Sequence, residues 1–275
     1  MDEFNRMTLN EIAEAIPDGA LLGVPADYSG VPMAATRALI ARGARDLRLY
    51  CLPLTTIQGD MLIGAGCVAS VEAAAVTLGE YGLAPRFNEG AINGSFQMRD
   101  STCPALHSQL QATEKGVPFM PLRGIIGSDI AAHRPDWQVI NSPFGNEPDP
   151  ILLLPAVKLD VALFHAPYAD RSGNVFIGRR RELATLVHAA TKVFVTVEKI
   201  IDTSLYESEA SAACALPAFY VDGIAVAESG AWPCGLTDVY PPDAEAIRAY
   251  AAAASSEAGF TAYLAELGLA PRTAA

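Results

Sequence analysis

The stretch that decides the fold runs from Ala20 to Leu52 and reads ALLGVPADYSGVPMAATRALIARGARDLRLYCL. Its first five residues are apolar or small and predict a short buried strand. The proline- and glycine-bearing segment 25–32 predicts a loop, and Met33–Arg42 predicts a helix that ends at the following glycine. A second apolar strand is predicted at Leu47–Leu52. A strand, a crossover helix and a second strand in this order indicate two parallel strands.

Strand-like and helix-like segments alternate along the rest of the chain. Thr8 followed by Glu11 forms the sequence pattern of a capping box and opens a first helix. The further predicted strands are 61–63, 157–165, 192–197 and 219–226, the further predicted helices are 104–115, 181–190, 243–254 and 260–267, and residues 71–78 fit either type. The sequence therefore predicts one α/β domain over residues 1–275, with an open, mostly parallel sheet and helices on both faces.

The composition argues against several classes of function. A formal net charge of −12 opposes contact with nucleic acids or anionic membranes, because like charges repel. Charged residues make up only 18% of the chain, which predicts that a partner protein covers part of the surface. The five cysteines form no CxxC pair and indicate reduced thiols rather than disulfides or zinc ligands. With no apolar run near the ~18 residues that span a bilayer, we expect a soluble, cytoplasmic protein.

The loop after the first strand is a candidate ligand site. In parallel sheets, ligands bind beyond the carboxyl ends of the strands, where backbone N–H groups and helix N-termini provide positive dipoles. We therefore take the residues Gly23, Ser29, Gly30, Val31 and Pro32 as candidate substrate-binding residues. Their backbone donors could stabilise a thioester oxyanion, and the alternative is a plain strand-to-helix connection.

Two other patterns have weaker functional interpretations. Residues 64–69 match the dinucleotide pattern GxGxxA, but no long strand precedes them. His165 and Asp170 follow an apolar strand and could line a site or bind a metal, although no third ligand is evident. We favour the interpretation that they fix the loop by hydrogen bonds.

Glu89 is the most informative single residue for chemistry. It precedes Gly90, and a carboxylate on a glycine-bearing turn can approach a reacting carbonyl as a nucleophile or a base. An ordinary acidic turn is the alternative.

Several ordered motifs resemble the α (A) subunit of family I coenzyme A transferases, of the glutaconate CoA-transferase type. They are Pro118–Gly124 with Gly127–Asp129, Pro155–Ala166, Asp170 with Gly173–Val175, Val195–Glu198, Tyr220–Asp222 and Gly230–Pro233. The resemblance implies a mostly parallel α/β fold and a related B subunit, in a heterodimer or heterotetramer with the active site between the two chains. It also implies a coenzyme A thioester as substrate and no tightly bound cofactor. In such transferases the nucleophilic glutamate belongs to the B subunit.

The resemblance leaves the reaction open between transfer and hydrolysis. CoA transfer is the family default, and Arg123 and Ser128 become candidate substrate-binding residues on this basis. The hydrolases that open steroid rings during bacterial cholesterol and bile-acid breakdown are similar overall, and in them a glutamate at the position of Glu89 acts as a base. Asn88 replaces the first acidic residue of their element. A non-enzymatic, effector-binding module is the third alternative.

Overall fold

The computed structural model describes residues 4–145 and 147–271. The helices are α1 (Leu9–Ala15), α2 (Met33–Arg42), α3 (Ile57–Gly64), α4 (Pro85–Asn93), α5 (Cys103–Glu114), α6 (Asp129–Ala132), α7 (Glu182–His188), α8 (Glu209–Ala212), α9 (Ala244–Ala253) and α10 (Glu257–Glu266). The strands are β1 (Leu21–Pro25), β2 (Leu47–Leu52), β3 (Leu54–Thr55), β4 (Val68–Ala73), β5 (Ala75–Val76), β6 (Gln97–Asp100), β7 (Phe119–Leu122), β8 (Gln138–Asn141), β9 (Pro150–Pro155), β10 (Leu159–Asp170), β11 (Val175–Phe176), β12 (Ala190–Ile201), β13 (Ala215–Leu216) and β14 (Gly223–Val226).

The central sheet is built from parallel strands. On one side of β1 the parallel neighbours are β2, β4 and β6, and on the other side they are β10, β12 and β14. The short strands β11 and β13 extend the sheet in antiparallel orientation from the carboxyl end of β10. The mostly parallel sheet predicted from the sequence is therefore confirmed.

Helices cover both faces of this sheet because alternate side chains of each strand point in opposite directions. Leu49 packs into the core shared with α1, α2, α3, α9 and α10, whereas its neighbour Tyr50 packs into the core shared with α5 and α7. The strand β10 divides in the same way between Val161 and Ala162. Burial on both faces explains why these strands are continuously apolar.

A small antiparallel sheet in the order β7–β9–β8 lies apart from the central one. It encloses a separate core in which Trp137, Leu152 and Leu154 pack against Ala105 of α5. The proline-rich segment 141–150 connects β8 to β9, two neighbours in this sheet.

Two strands predicted from the sequence are wrong. Met61–Ile63 belongs to the helix α3, because its apolar run is buried on all sides and periodicity cannot then separate a helix from a strand. The predicted strand 219–226 is divided into a 3₁₀ turn over Ala218–Tyr220 and the strand β14.

The strand order creates a switch point between β1 and β10. From β1 the chain adds strands first on one side and later, through β10, on the other. Crevices at such points open beyond the carboxyl ends of the strands, and they are where parallel α/β sheets bind ligands. The loop between β1 and α2 lies at this crevice.

Candidate functional site

A cavity of about 600 Å³ lies at the carboxyl edge of the sheet. The wall is formed by the β1–α2 loop, the start of α3, the turn after β5, the loop that leads to α9, and one residue of α9 itself. Its lining residues are Asp27, Tyr28, Thr56, Ile57, Leu78, Gly79, Glu80, Tyr81, Cys234, Gly235, Leu236, Thr237, Asp238, Val239, Tyr240, Pro241, Pro242 and Ile247. The volume is within the range of about 300–1,000 Å³ that is common for small-molecule sites.

Glu198, near the end of β12, anchors the loop that forms one wall. Its Oε1 accepts a hydrogen bond of 2.7 Å from the Tyr240 hydroxyl, and its carboxylate also accepts the backbone N–H groups of Ser229 and Gly230. Burial by itself raises the pKa of Glu198, but hydrogen bonds from His165, Tyr240 and Ser229 outweigh it and bring the pKa to about 2. Glu198 is therefore a fixed anion that holds Tyr240 in the cavity wall.

His165 completes this network behind the wall. Its Nε2 lies 2.8 Å from Glu198 Oε1 and its Nδ1 lies 2.8 Å from Thr196 Oγ1. A carboxylate only accepts hydrogen bonds, so Nε2–H donates to Glu198, and the Thr196 hydroxyl is the partner of Nδ1. Gly230 packs directly on this ring, since a Cβ there would lie 2.5 Å from Cε1 of His165.

Asp27 is the partly buried acid of the cavity. Burial raises the pKa of Asp27, although the backbone N–H of Tyr28 donates to it and works in the opposite direction. Burial also raises the pKa of the neighbouring Cys234 thiol, to about 12, which keeps it protonated and unreactive.

The predicted loop residues lie beside the cavity rather than in its lining. Gly23 is inside β1, where a Cβ would collide with Leu159 and Leu186, so its small size serves packing. Gly30 has a φ of 89°, and a Cβ there would lie 2.0 Å from the His165 carbonyl oxygen. In addition, the Gly30 carbonyl accepts the His165 N–H at 2.8 Å, which joins the loop to β10.

The other three predicted residues of this loop are buried. The Ser29 hydroxyl donates to Glu182 of α7, Val31 packs into the core, and Pro32 caps α2. The same loop does reach the cavity through Asp27 and Tyr28. The roles of Ser29, Val31 and Pro32 in substrate binding stay predictions.

Arg123 and Ser128 lie at the small antiparallel sheet and do not line the cavity. Arg123 is exposed and forms an ion pair with Asp149. Ser128 precedes α6, and its hydroxyl donates to the Ile125 carbonyl at 2.8 Å. Both contacts are made within the part of the chain between β7 and β9. A substrate role for either residue stays a prediction.

Glu89 is in the middle of α4 and not on a turn, so the local structure predicted for it is wrong. Pro85 at the start of the helix and Gly94, with a φ of 74° after its end, fix these bounds. The Glu89 carboxylate forms a 2.6 Å ion pair with the buried Arg86, while 49% of its side chain is exposed. It does not line the cavity, and its catalytic role stays a prediction.

The remaining sequence candidates have structural explanations. Asp170 accepts backbone hydrogen bonds from Ser172, Asn174 and Leu205, so it organises the loop after β10. Residues 64–69 follow a helix and lead into a strand, which is the reverse of the order in a dinucleotide-binding turn. In the described ranges, no group of three or more His, Cys, Asp or Glu side chains could hold a metal ion.

Sequence reasoning did not identify Tyr240 or Asp27 as cavity residues, nor Glu198 as the anchor of the wall. Glu198 and Tyr240 are 42 positions apart, and only the packing of the chain brings them together. A position at the carboxyl end of a predicted strand was the one available signal for Glu198.

Known proteins similar to this chain include a CoA-transferase subunit and a hydrolase subunit. Residues 6–227 match the family model described as coenzyme A transferase. The chain is 28% identical to the A subunit of the 3-oxoadipate CoA-transferase of Pseudomonas knackmussii, over 94% of this chain and 92% of the relative. It is also 28% identical to the cholesterol ring-cleaving hydrolase IpdA subunit of Mycobacterium tuberculosis, over 94% and 91%.

Solved structures of other proteins are also similar to this chain. A crystal structure of a variant of the decarboxylase AibA/AibB has a TM-score of 0.81 and 29% identity, over 96% of this chain and 100% of the other. The glutaconate coenzyme A-transferase of Acidaminococcus fermentans has a TM-score of 0.85 at 23% identity, over 95% and 88%, which shows a common fold. None of the helices in the described part of the chain is long and apolar enough to cross a membrane.

Proposed function

Because the chain belongs to the coenzyme A transferase family, we propose that it is the A subunit of a heteromeric enzyme that moves CoA between an acyl-CoA thioester and a carboxylic acid. The observation that carries the proposal is similarity to the A subunit of a CoA-transferase over nearly the whole of both chains. The cavity beside the β1–α2 loop supports it, since this architecture binds small molecules beyond the carboxyl ends of its strands.

In the proposed mechanism, the two subunits have different roles. A glutamate on the B subunit makes the first attack, at the thioester carbonyl, giving an acyl-glutamyl anhydride and free CoA thiolate. The thiolate then attacks the glutamyl carbonyl, so that the acid leaves and a glutamyl-CoA thioester remains. A second acid reverses both steps and departs as the new acyl-CoA.

This chain would contribute the acyl side of the site. Backbone donors of the β1–α2 loop would stabilise the oxyanion, and each well-placed donor of this kind is worth about 3–4 kcal/mol in a transition state. The network of Glu198, His165 and Tyr240 would keep the facing wall in a fixed position.

The test is product formation by the reconstituted pair. With an acyl-CoA and a second carboxylic acid, transfer predicts a new acyl-CoA whose formation requires that acid, measured by liquid chromatography and mass spectrometry. Free CoA that appears equally fast without the acid, and no new thioester, would contradict transfer.

Ring-opening hydrolysis of a CoA thioester is the second candidate, favoured by the geometry of Glu89. Its half-exposed carboxylate is oriented by the buried Arg86, so it can face a substrate that a partner surface encloses. A base in this position would activate water against a cyclic ketone. In that case Glu89→Gln would abolish product formation while acyl-CoA binding survives, whereas a fully active Glu89→Ala would exclude the role.

A further inference from the structure

We propose that the 600 Å³ cavity binds the acyl group of the thioester and selects an uncharged, largely apolar acyl chain. The inference rests on the proposed function and adds a substrate class to it. Its basis is the chemistry of the wall, which combines an extended apolar surface with acidic side chains.

The apolar part of the wall comes from separate segments that converge. Ile57 begins α3, Leu78 precedes the turn at the edge of the cavity, and Ile247 is on α9. Val239 adds an exposed aliphatic side chain at the same loop as Tyr240. A chain of several methylenes can bury its surface here, which is the main source of affinity for such a ligand.

Among the Asp, Glu, Lys, Arg and His side chains, those that line the cavity are all acidic. They are Asp27, Glu80 and Asp238. Among the residues that the structure describes, no lysine, arginine or histidine lines the cavity. Burial raises the pKa of Asp27, so water stabilises negative charge poorly at that position. A carboxylate that entered the cavity would meet like charges without a cation to pair with.

Three arginines near the cavity bind other groups. Arg248 lies over the Tyr81 ring at 5.5 Å from its centroid, Arg37 donates to the Trp232 carbonyl, and Arg180, which is close enough to Asp238 to interact with its charge, donates to the Ile177 carbonyl. None of these three side chains lines the cavity. The same charge argument excludes the phosphates of coenzyme A from this space.

This selectivity differs from that of two relatives. The acids in their names, 3-oxoadipate and glutaconate, are dicarboxylates. The CoA thioester of a dicarboxylate retains a second carboxylate at the far end of its acyl chain. The acidic side chains that line the cavity described here would repel this second carboxylate.

The test compares octanoyl-CoA with octanedioyl-CoA, which differ by the distal carboxylate, and uses acetyl-CoA as a short reference. Affinity for the intact two-chain complex is measured by equilibrium dialysis. We expect octanoyl-CoA to bind at least about tenfold more tightly than octanedioyl-CoA, because the distal carboxylate of octanedioyl-CoA would be brought close to acidic side chains. Asp27→Asn should reduce this preference severalfold.

A cavity-filling variant locates the acyl chain. Val239→Trp should weaken octanoyl-CoA binding about tenfold and leave acetyl-CoA unchanged, whereas Val117→Trp, an exposed valine outside the cavity, should change neither. Equal weakening of both thioesters would mean that the cavity holds the pantetheine arm and would overturn the inference. Octanedioyl-CoA binding as tightly as octanoyl-CoA would also overturn it. If no thioester binds, the proposed function itself fails.

Discussion

Replacing Glu198 by glutamine should loosen the wall of the cavity and destabilise the protein. The wild-type carboxylate accepts hydrogen bonds from Tyr240, Ser229 and Gly230, and contacts His165 as well. A glutamine amide cannot accept at both oxygen positions, so at least one buried donor loses its partner.

The pKa of Glu198 sets the magnitude of this effect. It falls from the ordinary value of 4.5 to about 2, and at about 1.36 kcal/mol per pH unit the difference corresponds to about 3 kcal/mol of stability at pH 7. Because the pKa is lower in the folded state, the contribution is complete well above pH 4.5 and is lost as the pH falls towards 2. About 1.5 kcal/mol should remain at pH 3.

Urea unfolding measures this contribution directly. The free energy of unfolding of Glu198→Gln should be about 3 kcal/mol below that of the wild type at pH 7, and the gap should narrow at pH 3. Glu228→Gln is the matched control, because this glutamate is exposed and close in sequence to the anchored loop. A Glu198→Gln variant within about 0.5 kcal/mol of the wild type at pH 7 would refute the reasoning.

Three further substitutions test other parts of the structure. Burial raises the pKa of Asp60 to about 6 from 3.8, so the wild type should lose about 2 kcal/mol as the pH rises from 4 to 7, a loss that urea titrations of Asp60→Asn should not show. Gly30→Ala, with its φ of 89° and a Cβ placed 2.0 Å from the His165 carbonyl oxygen, should cost about 3 kcal/mol or more, and an unchanged melting temperature would contradict this. Arg134→Met leaves the buried Glu72 carboxylate with Arg99, at 3.1 Å, as its remaining ion-pair partner and should cost about 1–3 kcal/mol in urea unfolding, so a loss below about 0.5 kcal/mol would argue against the buried pair.

The fold was predictable where glycine or proline residues mark the ends of an apolar run. The strand–loop–helix–strand unit over 20–52 is confirmed to within a residue or two, because glycine and proline mark its turns. Met61 was assigned wrongly since α3 is buried on all sides and its residues show no helical periodicity. In the same way, the antiparallel pairing of β7, β8 and β9 depends on contacts that the local sequence does not encode.

The candidate site was predictable only in part. The β1–α2 loop was identified, because the carboxyl end of a strand beside a switch point is a general property of parallel sheets. The residues of that loop that enter the cavity are Asp27 and Tyr28, and not the glycines that drew attention in the sequence. Glu89 was assigned to a turn because Gly90 follows it, although Pro85 and Gly94 are the residues that set the helix bounds.

The most direct test of the central claim is a trapping experiment on the reconstituted two-chain complex. The complex is incubated with an acyl-CoA, treated with borohydride or hydroxylamine, and both chains are analysed by mass spectrometry. Our account predicts a modified glutamate on the B subunit, formed only when this chain is present. An unmodified B subunit in a complex that turns over acyl-CoA, or full activity of this chain alone, would contradict it.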